Sequence, residues 1–147
     1  MMSLSLHLQF LEQRMATVSC LPSRFEYYSA IHLTKLHNVC FYAYKDIPIS
    51  HKRYAGFPLT DKGIDLIDET FSHIGQVKYY GPRSKIYYGK LSTFLATPIL
   101  VGRKHLQMTL VRTHHSKLHS EIHQIVQRGD LNDVTLCSRE FMQNMRG

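Results

Sequence analysis

Five histidines fall between positions 105 and 123, and His115, His119 and His123 are spaced four residues apart. On a helix that spacing predicts one shared face. A single ion needs three or four converging ligands, whereas helical positions eight apart are separated by about 12 Å along the axis. The motif HSEIH (119–123) also misplaces its glutamate relative to the zinc-binding pattern H-E-x-x-H. The sequence therefore predicts a polar helix face here, gaining positive charge below about pH 6.5, with no metal site and no cofactor.

A second constellation is basic and aromatic. The stretch KYYGPRSKIYYGKLSTFLATP (78–98) brings Lys78, Arg83, Lys85 and Lys90 together with Tyr79, Tyr80, Tyr87 and Tyr88. Lysine and arginine attract phosphates, and tyrosine stacks on exposed bases or sits at a lipid headgroup boundary. Arg103 and Lys104 extend the candidate anion-binding set. The whole charge excess lies in this part of the chain: the net charge is +7, and residues 70–120 carry eight Lys/Arg and no Asp or Glu. A block of one sign predicts attraction to nucleic acid, anionic lipid or an acidic partner.

The tetrapeptide Ile31-His32-Leu33-Thr34 resembles the His-x-Thr half-site of the two-histidine phosphoesterases. In that family, two such motifs on neighbouring strands serve as general base and general acid on a cyclic phosphate. His114-His115-Ser116 would be the second half-site. Otherwise the chain has no nucleophile elbow, P-loop or dinucleotide fingerprint. It also shows no carboxylate pair in an obvious catalytic context, so a non-enzymatic protein with no catalytic residues is the leading expectation.

The elements that must position these residues follow from periodicity and punctuation. Leu4, Leu6, Leu8 and Phe10 alternate with polar residues and predict a strand, with a short helical stretch over 11–15. FEYYSAIHLTKL (25–36) predicts a longer strand and VCFYAYK (39–45) another, followed by a loop over 46–59. Thr60 as N-cap and Ile64, Ile67, Phe71 and Ile74 at helical spacing predict a helix ending at Gly75. Gly81-Pro82 predicts a turn, 86–96 a short helix ended by Pro98, and 99–112 a strand or hairpin turning near Gly102-Arg103. A helix over 114–128 ends at Gly129. A short strand over 134–137 and a last helical turn capped by Ser138 complete the chain. The expectation is one α+β domain over 1–147, a small, mainly antiparallel sheet with two to three helices packed on it. Three cysteines without a C-x-x-C spacing predict free thiols in a reducing compartment. No apolar run is long enough to span a bilayer.

The order of features from 25 to 98 also resembles the central part of rhabdovirus matrix proteins: a strand, a capped helix, YYG (79–81), a basic turn, then YYGKLSTFLA (87–96). That resemblance implies a viral structural protein, in the virion and host cytoplasm and peripheral at the membrane. It would bridge the nucleocapsid and an anionic membrane surface and self-associate. Lys78, Arg83, Lys85 and Lys90 would belong to its contact surface. The budding motifs PPxY and PTAP are missing. An RNA-binding module using the same patch is the alternative reading, and the two-histidine phosphoesterase the third.

Overall fold

The computed structural model describes residues 3–81 and 83–146. In chain order they form α1 (Leu4–Thr17), α2 (Leu21–His37), β1 (Phe41–Ala43), α3 (Ile49–Ala55), β2 (Leu66–Asp68), β3 (His73–Lys78) and β4 (Lys85–Ile86). Then come α4 (Ser92–Leu95), α5 (Thr97–Val101), β5 (Gln107–Thr113), β6 (Lys117–Leu118), α6 (Ser120–Gln127), β7 (Asn132–Leu136) and α7 (Ser138–Arg146). The expected α+β class holds.

The main sheet has the order β1-β2-β3-β5-β7. It is antiparallel at β1–β2 and β2–β3 and parallel at β3–β5 and β5–β7. The parallel pairs need crossovers, and residues 79–106 and 114–131 supply them. As a result, the carboxyl ends of β1, β3, β5 and β7 and the amino end of β2 share one end of the sheet. A second, two-stranded sheet pairs β4 with β6 across the two crossovers.

Apolar side chains cover both faces. One face packs Leu11, Phe25, Leu33, Phe41, Leu66 and Phe141 under α1, α2 and α7. The other packs Ile67, Ile74, Ile86, Phe94, Leu110 and Ile122 under the crossovers. Chain neighbours such as Leu66 and Ile67 fall in different clusters, as period-two alternation demands of a strand buried on both sides.

Several expected strands are helices. Residues 4–10 lie in α1, where Ser3 Oγ accepts from the Leu6 N–H at 3.2 Å and caps the helix. Leu4, Leu8, Leu11 and Met15 also repeat at helical spacing; His7 and Leu11 are fully buried, while Leu6 stays exposed. Residues 25–36 lie in α2, which starts with Pro22 in its first turn and stops at Asn38 in the left-handed conformation (φ 56°). Its buried set includes Ala30 and Thr34 beside Phe25, Tyr27, Ile31 and Leu33, a face too broad for one side of a strand. The expected loop over 46–59 contains α3.

The expected helix over 60–74 is a hairpin. Asp61 Oδ1 accepts from the Gly63 N–H at 2.8 Å, and Gly63 has φ 84°, which turns the chain out of any helical path. The next turn is held by Asp68, which accepts from the Ser72 and His73 N–H groups at 2.8 and 3.0 Å while Phe71 sits at φ 58°. Gly75 is not a helix stop but a residue of β3, with Leu66 Cβ 3.3 Å from where its own Cβ would stand. The expected helix over 86–96 is broken into β4, a 3-10 turn (Tyr88–Lys90) and α4. Pro98 does not end it but lies in the first turn of α5. The strand expected over 99–112 is shorter, since 97–101 are helical before β5. The strand at β7 and the helix begun by Ser138 stand as expected. The turn assigned to Gly81-Pro82 rests partly on Pro82, outside the described residues.

Gly63 offers a direct check. An alanine there would adopt φ 84° with its Cβ 3.2 Å from the Phe94 backbone nitrogen. Gly63→Ala should lower unfolding free energy by about 1–3 kcal/mol, while Gly89→Ala, with open space around it, should stay within about 0.5 kcal/mol. Urea denaturation of the two variants measures both.

Candidate functional site

Two partly buried carboxylates, Glu26 and Asp65, lie within electrostatic reach of each other toward the sheet end where β3 terminates. Glu26 comes from the first turns of α2, placed there because neighbouring Phe25 is anchored against Tyr79 and Phe141 at 5.1 and 5.2 Å between ring centroids. Asp65 comes from the residue just before β2. Its Oδ2 accepts from the Val77 N–H at 2.8 Å, its own N–H donates to the Gly75 carbonyl at 2.9 Å, and its carbonyl accepts from the Tyr44 N–H at 2.8 Å. Asp65 is thereby stapled to the strands on both sides.

Both acids resist ionisation. Burial, then the field of Asp65, pushes Glu26 from its ordinary 4.5 up to about 7; Lys45 opposes this, and Asp61 and Asp46 add to it. Burial pushes Asp65 from 3.8 up to about 6, against the relief of the Val77 N–H and, more weakly, of Lys78 and Lys45. Two partly buried carboxylates, Glu26 in the field of Asp65 and both in that of Asp61, concentrate negative potential that protons or cations relieve.

Gln76 is the backbone neighbour of Asp65 on β3, since the hairpin register pairs Leu66 with Gly75. Its side chain turns to the face of Ile74 and Leu110 under the crossovers, the opposite face from α2 and Glu26. Its side chain is 6% exposed, and its amide oxygen has no hydrogen-bond donor among the described residues. An orphaned buried acceptor costs about 1–3 kcal/mol unless a ligand satisfies it. Lys78 follows two residues later, on the same face of β3, with Nζ 5.9 Å from the Tyr80 ring centroid. Among the described residues no group of three or more His, Cys, Asp or Glu side chains is arranged to hold a metal. Glu26 and Asp65 supply carboxylate oxygens, hard donors of the type Mg²⁺ and Mn²⁺ accept.

The residues singled out by sequence separate in space. Lys78 belongs to this centre. Arg83, Lys85 and Lys90 are exposed on the crossover that leaves β3. Arg103 and Lys104 precede β5 at the opposite end, where cavities of about 440 and 240 Å³ open around His105 and Leu106. Neither cavity approaches Glu26 or Asp65. Arg103 is a structural cation: it donates to the Phe71 carbonyl at 2.9 Å and the Ala55 carbonyl at 3.2 Å, and lies 5.1 Å from the Phe57 ring centroid. The six cations thus do not form one surface. Tyr79 packs inward on Phe25 and Phe141 and Tyr80 is half-buried, while Tyr87 and Tyr88 are 53% and 45% exposed.

The histidines separate too. α6 begins at Ser120 with His119 as its cap, so His115 lies outside the helix and the expected three-histidine face does not form. His32 is on α2, and Thr34 Oγ1 accepts the Phe41 N–H at 3.0 Å. The strand setting of a His-x-Thr half-site is not present there. The strand over 25–36 and helix over 60–74 that carried the resemblance to rhabdovirus matrix proteins are a helix and a hairpin. No protein-family model, no curated protein and no solved structure matches the chain.

Glu26, Asp65 and Gln76 escaped sequence reasoning. Their one legible signal was GQVK (75–78), where polar Gln76 and Lys78 alternate with apolar residues in a segment otherwise fit for a core.

The raised acids carry a sign for stability. A carboxyl whose folded pKa lies above its unfolded value stabilises the fold fully below the unfolded value, and that contribution is lost as pH rises through the folded one. In the absence of divalent ions, the parent should lose stability relative to Glu26→Gln/Asp65→Asn as pH rises from about 4 through 7. The amide introduced by Asp65→Asn retains an oxygen for the Val77 N–H. Paired thermal melts across that range check it.

Proposed function

We propose that the chain is a divalent-cation-dependent phosphodiesterase acting on nucleic acid. One observation carries the reading: two partly buried carboxylates, Glu26 and Asp65, whose ionisation burial opposes, at the sheet end that also carries Lys78. Together they provide oxygen ligands short of one positive ion. A divalent ion bound there would polarise a phosphoryl oxygen and lower the pKa of an attacking water.

The chain's own residues account for the rest. Glu26 and Asp65 would hold the ion and, by the hydrogen bond to Val77, keep it at a fixed height on β3. The Lys78 ammonium stands where it can neutralise a non-bridging phosphate oxygen as charge develops in the transition state. In the balanced step, water adds to phosphorus, the bridging P–O bond breaks, and the leaving alkoxide takes a proton. The excess of +7 and the acid-free run of 70–120 supply long-range attraction for a polyanion.

A second reading keeps the membrane role that the sequence suggested. On α5, Ile99 and Leu100 are 85% and 63% exposed, a few residues before the exposed Lys104. Apolar side chains beside cations suit an anionic bilayer surface. No helix among the described residues is long and apolar enough to cross a membrane.

The first test is cleavage of a labelled oligonucleotide with Mg²⁺ or Mn²⁺. The parent should cut, EDTA should abolish cutting, and Asp65→Asn or Lys78→Ala should lower the rate at least about 100-fold. Mn²⁺ should raise the melting temperature more at pH 8 than at pH 5, because both acids must lose their protons to bind it. Undiminished cleavage by Asp65→Asn, or equal Mn²⁺ stabilisation of parent and Glu26→Gln/Asp65→Asn, would sink the reading. For the second reading, Ile99→Asp/Leu100→Asp should abolish salt-sensitive flotation with phosphatidylserine vesicles. Flotation of that variant equal to the parent's removes it.

A further inference from the structure

We infer that the small β4–β6 sheet is the platform on which an unpaired nucleic-acid strand lies as it enters the site. This rests on the phosphodiesterase reading and adds to it the substrate class.

The platform has two sides. Inward, Ile86 is fully buried and Leu118 packs on the same cluster. Outward, Lys85 stands directly opposite Lys117 in the parallel register, and both are exposed. Like charges directly opposite destabilise a strand pair, and neither lysine has an acidic partner among the described residues. Glu121, the nearest acid in sequence, faces His119 Nδ1 at 3.7 Å. The pair nevertheless forms, held by backbone bonds from Lys117 N–H to the Ser84 carbonyl at 3.3 Å and from His119 N–H to the Ile86 carbonyl at 2.9 Å. Two juxtaposed, uncompensated ammonium groups fit a string of phosphates.

Aromatic surface adjoins these charges. Tyr87 lies against His119 at 5.2 Å between ring centroids and is 53% exposed, and Tyr88 is 45% exposed. Cations interleaved with open aromatic rings suit a single strand, whose bases are free to stack on them, whereas the bases of a duplex are already stacked on one another. Position ties the platform to the centre. β4 follows Lys78 through one turn and β6 follows β5, and Thr113 Oγ1 donates to the Tyr80 carbonyl to bind the two departures together. The platform therefore hangs from the sheet end that holds Asp65 and Lys78, the end where open α/β sheets take ligands.

The test is binding of a fluorescent single-stranded 20-mer, followed by anisotropy in EDTA so that no cleavage intervenes. The parent should bind with strong salt dependence. Lys85→Glu/Lys117→Glu should weaken binding at least about 10-fold, and Lys85→Gln/Lys117→Gln should lower the log–log salt slope by about 1.4. Tyr87→Ala/Tyr88→Ala should cost a single strand roughly 5-fold or more while leaving duplex binding within about 2-fold. All four side chains are exposed, and unchanged thermal melts will confirm the fold. Unaltered binding by both lysine variants overturns the platform, and equal losses for single strand and duplex in the tyrosine variant overturn the unpaired strand. Intact platform-dependent binding by a protein that never cleaves would leave the platform standing and remove the phosphodiesterase instead.

Discussion

The β2–β3 hairpin is buried on both faces, and the molecule is organised around that constraint. Leu66 and Ile67 face opposite clusters, and Gly75 leaves room for Leu66 because it has no side chain of its own. A central hairpin has no solvent side on which to place a polar group cheaply. Its polar residues are therefore either tied down or costly. Asp68 is tied down by two backbone N–H groups and two hydroxyls at the hairpin turn. Asp65, Gln76 and Lys78 gather at the other end, where the sheet opens. There burial raises the pKa of a carboxyl to about 6, and an amide oxygen has no donor among the described residues.

That contrast is the energetic basis of the proposed site. The same hairpin satisfies the Asp68 carboxylate with four hydrogen bonds and the Asp65 carboxylate with one. The end with the single bond is also the end at which Glu26 arrives. Buried polar atoms without a partner occur elsewhere too, at His7, Arg14, Thr97 and His115, so two carboxylates whose ionisation burial opposes, and not a missing hydrogen bond alone, set this end apart.

Local signals in the sequence were read well where structure is local. The stretches 39–45 and 134–137 are short and rich in β-branched or aromatic residues, and both overlap strands, Phe41–Ala43 and Asn132–Leu136; Ser138 begins a helix. The misreadings share one cause. Ile64, Ile67, Phe71 and Ile74 imitate helical spacing because a strand buried on both faces shows no alternation, and the break after Asp68 shifts the phase. In α2 the apolar positions match period two as well as 3.6, and Pro22 and Asn38 decide the matter at the ends. The site itself is less legible still. Glu26 and Asp65 lie on a helix and a loop edge brought near each other only by the fold, and Gln76 on the adjacent strand turns to the other face; none of the three has a local mark of importance. The basic run was visible at once, yet counting charges could not show that Arg103 caps carbonyls at one end of the sheet while Lys78 stands at the other.

The pairing of β4 with β6 also shortens loops. Each strand is two residues long and is carried by a different crossover. Tied to each other part-way along, the two connections behave as shorter closed segments than 79–106 and 114–131 would alone, and shorter loops cost less chain entropy to hold closed. The clasp gives two long connections a defined path over the Ile86 and Leu118 contacts beneath them.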